Sequence, residues 1–237
     1  MALSLSLGSS LLSKVLGYYY PKDIARKSRG LPPKRIVLIC CEGAKTEPAY
    51  IEALRRELRL SSVHIEIVPG DVCGSSPKSI VSWAVEHRKA LRKDWPDTVA
   101  WCAFDRDSHP KLSDALCRAR DNNILVAFSN PSFELWLLLH FEFSTALIDR
   151  RAALRRLRTH VKDYEKGRIQ YDAFRDRRTQ AKGRAAMLRS HHETTRSRSI
   201  SRTALVNANS TTRSGDNPST TMDELVTLLE SLQDLAR

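Results

Sequence analysis

Short continuous apolar runs alternate along this chain with longer stretches whose apolar positions recur every three or four residues, the pattern of strands and helices in succession. Ile36-Val37-Leu38-Ile39-Cys40-Cys41 is apolar throughout, as a parallel strand must be when both of its faces are covered. Val63 to Val68, Thr98 to Phe104 and Ile124 to Phe128 predict three further strands. Between them, Tyr50, Ile51, Leu54 and Leu58 make one helical stripe behind a start signal in which Thr46 caps and Pro48 follows. Ile80, Val81, Ala84, Val85 and Leu91 make another behind Ser76-Pro77, and Leu112, Ala115, Leu116 and Ala119 mark a third. Strands alternating with helices of this length predict an α/β fold: a mostly parallel, Rossmann-like sheet flanked by helices and joined by right-handed crossovers.

The ends of the chain read differently. Arg29-Gly30-Leu31-Pro32-Pro33 is linker-like, which makes residues 1–30 an accessory or loosely ordered extension, residues 31–143 the α/β core and residues 144–237 a basic helical region packing on it. Met1 to Leu16 is apolar and rich in small residues, but no positive charge precedes it and Lys14 interrupts it, so a targeting peptide is not the favoured reading. No run is long and charge-free enough to span a bilayer, and a cytoplasmic protein without a membrane partner is expected. Near the carboxyl end, Thr221 and Glu224 have capping-box spacing ahead of Leu225, Leu228, Leu229 and Leu232, which predicts a helix that docks on the core or on a partner.

Charge sharpens this picture. The 237 residues include 39 Lys and Arg against 27 Asp and Glu, a formal net charge of +12. Residues 150–202 alone hold 17 Lys and Arg against 5 Asp and Glu, again +12, so the rest of the chain sums to zero. A concentrated excess of this kind attracts phosphate backbones without reading their sequence. Arg151, Arg155, Arg156 and Arg158 fall on adjoining faces of one predicted helix, where a backbone-binding groove competes with an ordinary solvated surface. The five cysteines lack zinc-ligand spacing and read as buried thiols of a reducing compartment.

Candidate chemistry gathers where strands end. In an open parallel sheet all strands present their carboxyl ends at one edge, where such folds bind ligands. Glu42 follows the first strand and Asp105 and Asp107 the third, so their carboxylates are expected to converge and to need neutralisation by protons or cations, magnesium or manganese being suited to such oxygen donors. Lys45, in the loop after Glu42, is placed to meet a phosphate, and His109 to shuttle a proton or simply to occupy a surface turn. Glu47 reads as a helix-start acid, while Glu134 is either such an acid or a member of the site. Phe133, Trp136, Leu137 and Phe141 have helical spacing and read as core.

The run Val37-Leu38-Ile39-Cys40-Cys41-Glu42-Gly43-Ala44-Lys45-Thr46-Glu47, then Phe104-Asp105-Arg106-Asp107, then Asn130-Pro131-Ser132-Phe133-Glu134-Leu135-Trp136, resembles the RloB family of Toprim-domain proteins. Tyr164-Glu165-Lys166, Lys182-Gly183-Arg184-Ala185 and Asn217-Pro218-Ser219-Thr220 agree with it, so the resemblance covers the chain from about Pro33 onward. It implies a Toprim-like fold, shared with topoisomerases, bacterial primases and OLD-family nucleases, in which a strand-end glutamate and a DxD pair organise Mg2+ or Mn2+. By position, Glu42, Asp105 and Asp107 would be the metal ligands, with Glu42 also the acid/base or bridging residue, and Glu134 an accessory catalytic acid. Lys166, Arg168 and Lys182 join Lys45, Arg155, Arg156 and Arg158 as nucleic-acid contacts.

Such proteins are associated with restriction and phage-defence loci, often beside an ATPase. The implied function is a Mg2+-dependent Toprim endonuclease that hydrolyses RNA, such as transfer RNA, or DNA as a defence effector. Nucleic acid and an AAA- or ABC-type ATPase are the expected partners, and a homo-oligomer is a further option. Topoisomerase and primase chemistry would need extra domains for which the chain has no room. The alternative is a non-catalytic subunit that binds nucleic acid within an ATPase-containing complex.

Overall fold

Four apolar runs form the centre of the structure, a computed structural model that describes residues 36–60, 63–106, 111–195, 206–207 and 212–235. They are β1 (Ile36–Cys41), β2 (His64–Val68), β3 (Val99–Asp105) and β4 (Leu125–Asn130). These pair in parallel in the order β2-β1-β3-β4, and a two-residue strand, β5 (Ser219–Thr220), adds antiparallel to β4. The helices are α1 (Thr46–Glu57), α2 (Gly70–Cys73), α3 (Pro77–Leu91), α4 (Leu112–Asp121), α5 (Phe133–Leu138), α6 (Arg150–His160), α7 (Asp172–Arg175), α8 (Arg178–Thr195) and α9 (Met222–Leu235). The expected α/β class, a mostly parallel Rossmann-like sheet flanked by helices, is borne out.

Successive side chains of a strand point to opposite faces. Val37, Ile39 and Cys41 of β1 accordingly enter one apolar cluster with Trp101, Ala103 and Ala127, while Ile36, Leu38 and Cys40 enter a second with Cys102, Phe104 and Val126. Helices α3 and α4 cover the second cluster through Ile80, Val81, Ala84, Ala115 and Leu116. The first is covered by α1 and by the helices of the carboxyl-terminal half, through Tyr50, Leu54, Trp136, Leu157, Ala185 and Leu229. Burial on both sides explains why the strands are continuous apolar runs and do not alternate with polar residues. Four of the cysteines are buried thiols and Cys117 is partly covered.

Helix starts show where local signals hold and where distant contacts override them. Ser76 caps α3 with a reciprocal bond to Ser79, and Pro77 opens it, as the sequence predicts. Thr46, expected as the cap of α1, instead lies inside its first turn, where its hydroxyl accepts a hydrogen bond from the Gly167 N–H at 2.8 Å. Thr221, directly ahead of α9, turns its hydroxyl to the sheet: it accepts from the Phe128 N–H at 2.9 Å and donates to the Val126 carbonyl at 2.8 Å, extending the edge of β4. The Pro69-Gly70-Asp71 turn is the start of α2. Helix α9 docks on the core through Leu225, Leu229 and Leu232.

The described residues all belong to one compact unit, Pro33–Arg237, and the extension expected over residues 1–30 lies outside them. Among the described residues no helix is long and apolar enough to cross a membrane.

Candidate functional site

β1 and β3 are neighbours, with Cys41 level with Ala103, so the acids that end them meet at the carboxyl edge of the sheet. The Glu42 N–H donates to the Ala103 carbonyl at 2.8 Å, which carries the ladder one residue past β1. In return the Asp105 N–H donates to Glu42 Oε2 at 2.9 Å. β4 ends at Asn130, and Glu134 follows in the first turn of α5, held by the Ser132 hydroxyl at 2.6 Å. Glu47, in the first turn of α1, turns to the same edge. The four acids line one cleft of about 380 Å³.

Crowding carboxylates away from water disfavours their charged forms. Burial pushes the Asp105 carboxyl well above its usual range, and the charges of Glu47, Glu42 and Glu134 add to this, while Arg150 opposes it. Glu47 is raised by burial and then by Glu134 and Glu42, against a backbone hydrogen bond and Lys166. The buried Tyr164 hydroxyl is raised as well, first by burial and then by Glu134 and Glu47. These groups form one coupled electrostatic cluster.

Cations from the carboxyl-terminal half balance it. Asp149 caps α6 by accepting from the Ala152 N–H at 2.7 Å, which sets Arg150 at the first helical position, and a guanidinium nitrogen of Arg150 reaches Asp105 Oδ2 at 2.8 Å. The Lys166 ammonium lies 3.1 Å from Glu134 Oε1. Lys45 lines the rim beside Gly167, where a φ of +87° favours glycine and a Cβ would crowd the Lys45 side chain at 3.0 Å. Gly70 has a similar role beneath Glu42, since a Cβ there would fall 1.9 Å from the Glu42 carbonyl oxygen.

The structure thus brings Glu42, Asp105, Glu134, Lys45 and Lys166 to one cleft. Asp107 and His109 lie outside the described residues. Arg155 and Arg158 are exposed on α6, the latter donating to the Tyr164 carbonyl at 3.1 Å, and Arg168 is exposed beyond the cleft lining. Arg156 pairs with Glu142 at 2.6 Å, and Lys182 pairs with Glu230 between α8 and α9. Glu47 and Arg150 are the members that sequence reasoning missed. Phe133, Trp136 and Leu137 are core, as their spacing predicts.

Carboxylates are hard oxygen donors, and burial followed by mutual repulsion, which together raise Asp105 and Glu47, is the kind of cost a divalent cation relieves, so the donor set suits magnesium or manganese. Among the described residues no three His, Cys, Asp or Glu side chains are gathered closely enough to hold a metal ion.

Residues 37–229 match the model of one protein family, described as RloB-like protein, in agreement with the resemblance carried by the motifs. No curated protein and no solved structure matches the chain.

Proposed function

The chain belongs to the RloB-like protein family, and from that premise we propose that it is a divalent-metal-dependent endonuclease of Toprim type, hydrolysing phosphodiester bonds of RNA or DNA as a phage-defence effector. The observation that carries the reading is the junction of Glu42 with Asp105 inside a cleft where burial, and then neighbouring carboxylates, push the Asp105 carboxyl up. Neutral binding pockets have no use for such a cluster, whereas phosphoryl chemistry needs a cation at that point.

Glu42 and Asp105, with Asp107, would hold magnesium or manganese, which supplies an activated water and charge neutralisation on the phosphoryl oxygens. The protein's own groups do the rest. Lys45 and Lys166 at the rim attract and orient the strand's phosphates. Glu47, raised by burial, retains a proton at its carboxyl more readily than an exposed glutamate and can release it to the departing oxygen. Water adds to phosphorus and gives one proton to solvent, the phosphorus–ester oxygen bond breaks and its oxygen leaves with the Glu47 proton, and the Glu47 carboxylate recovers one from solvent.

The test is to incubate the purified protein with total cellular RNA and with plasmid DNA, in magnesium or manganese and in chelator. Cleavage by wild type with metal, lost in chelator and in Glu42→Gln and Asp105→Asn, is the expected result. Cleavage that persists in both variants overturns the reading.

The cations seated on Asp105 and Glu134 favour a second reading, a non-catalytic nucleic-acid-binding subunit of an ATPase-containing complex. It predicts retention of RNA or DNA with no cleavage under any metal.

A further inference from the structure

We infer that Arg150 and Lys166 exchange partners, from the carboxylates of Asp105 and Glu134 in the free protein to phosphodiester oxygens of a bound strand, so that nucleic acid and divalent cation bind cooperatively. This rests on the reading of the cleft as a metal-dependent phosphodiesterase site.

Both ion pairs are lopsided. The Asp105 and Glu134 side chains are 12% and 4% exposed, whereas those of Arg150 and Lys166 are 41% and 57% exposed. The acids cannot move: Asp105 ends a central strand, and Glu134 is pinned at its second oxygen by the Ser132 hydroxyl at 2.6 Å. The cations sit at the ends of long flexible stems. A buried carboxylate without a counter-charge is costly, so in the free protein these two cations supply what the cluster lacks.

A divalent ion changes both sides of that balance. It competes for the Asp105 oxygen that Arg150 now occupies, and its charge repels the guanidinium and ammonium beside it. Displaced into a rim that faces solvent, the two groups keep their reach but lose their carboxylate partners, while Arg150 keeps the Pro131 carbonyl, to which its Nε donates at 3.3 Å. A phosphodiester offers the replacement, bidentate oxygens for Arg150 and a point anion for Lys166. Each ligand therefore removes the obstacle to the other, and the coupling is reciprocal. Lys45 is the internal contrast. It lines the same cleft but makes no ion pair with a cleft acid among the described residues, so it should contribute to strand binding without restraining the metal.

The test uses the full chain, Mn2+ as the metal probe and a short single-stranded phosphorothioate oligonucleotide as the strand, with both affinities read by calorimetry. Wild type should bind Mn2+ at least about fivefold more tightly with the oligonucleotide present, and the oligonucleotide more tightly by the same factor with Mn2+ present. Arg150→Met and Lys166→Met should each bind Mn2+ alone more tightly than wild type, bind the oligonucleotide more weakly, and lose most of the coupling. Lys166→Gln, polar and exposed, guards against a folding defect. Lys45→Met should weaken only the oligonucleotide and keep the coupling. Coupling absent from wild type, or surviving the Arg150 and Lys166 substitutions, overturns the inference while leaving the metal site intact. If no form binds Mn2+, the nuclease reading falls with it.

Discussion

The carboxylate of Glu42 accepts a hydrogen bond from the backbone N–H of Asp105 at 2.9 Å, joining the ends of two adjacent strands across 63 positions of sequence. One oxygen thereby fixes the spacing of two acids, and stability can be separated from chemistry at this residue. Glu42→Gln keeps an acceptor for the N–H, whereas Glu42→Ala leaves it without one, at about 1 kcal/mol or somewhat more. Urea unfolding should therefore rank wild type and Gln close together with Ala below them. Hydrolysis should be lost in both, because an amide is a poor ligand for magnesium.

Gly70 carries a larger structural risk than its place at the start of a four-residue helix suggests. A Cβ there would meet the Glu42 backbone oxygen at 1.9 Å, and backbone cannot step aside as a side chain can. Gly70→Ala should cost about 1–3 kcal/mol and shift Glu42 with it. At Gly43 the clash is with the Glu47 carboxylate at 2.0 Å, the movable end of a side chain. Gly43→Ala should accordingly unfold at nearly the wild-type denaturant midpoint while altering activity through Glu47. Equal losses of stability in the two variants would contradict this distinction.

The raised acids set a direction for pH dependence. A carboxyl whose value in the folded state exceeds the ordinary one, 4.5 for Glu47, binds more protons folded than unfolded between those two values. Its contribution to stability is complete below the ordinary value and is lost as pH rises through the raised one. Glu47→Gln, which removes the charge and keeps the shape, should thus raise the thermal midpoint at about pH 8 in chelator and change little at about pH 4. A variant that melts lower than wild type at the higher pH would show that the Glu47 charge is compensated.

The strands, their helices and two of the cleft acids, Glu42 and Asp105, are legible in the sequence because each follows from a local pattern: an apolar run, a helical stripe, an acid at the end of a strand; Glu134, four residues past β4, enters through the family resemblance. Glu47 misleads because two properties coincide in it. It is a first-turn acid of α1, as its position says, and that turn also faces the sheet edge, which only the fold reveals. Arg150 is hidden among 17 basic residues of one block, since nothing local marks the one whose helix starts beside Asp105. Thr46 and Thr221 carry good capping chemistry, yet their hydroxyls bond to Gly167 and to β4, partners far away in sequence. β5 is two residues long, too short for any period to announce it.

The basic block does not act as one surface, and salt dependence can divide it. Arg151, Arg155 and Arg158 are spaced by four and three along α6 and are exposed, while Ala153 and Leu157 of the same helix are buried. That stripe starts beside Arg150 and so leads away from the acidic cleft, a path for a strand's phosphates. Arg156 and Lys182 are committed elsewhere, to Glu142 and Glu230. Converting Arg151, Arg155 and Arg158 to Gln should weaken binding of a single strand and reduce the slope of log affinity against log salt by roughly 2, at about 0.7 per phosphate contact. Lys182→Gln should leave the slope unchanged and lower stability by no more than about 1 kcal/mol, the scale of a partly exposed pair. An unaltered slope in the triple variant would remove α6 from the interface, and a fall in slope with Lys182→Gln would extend that interface to α8.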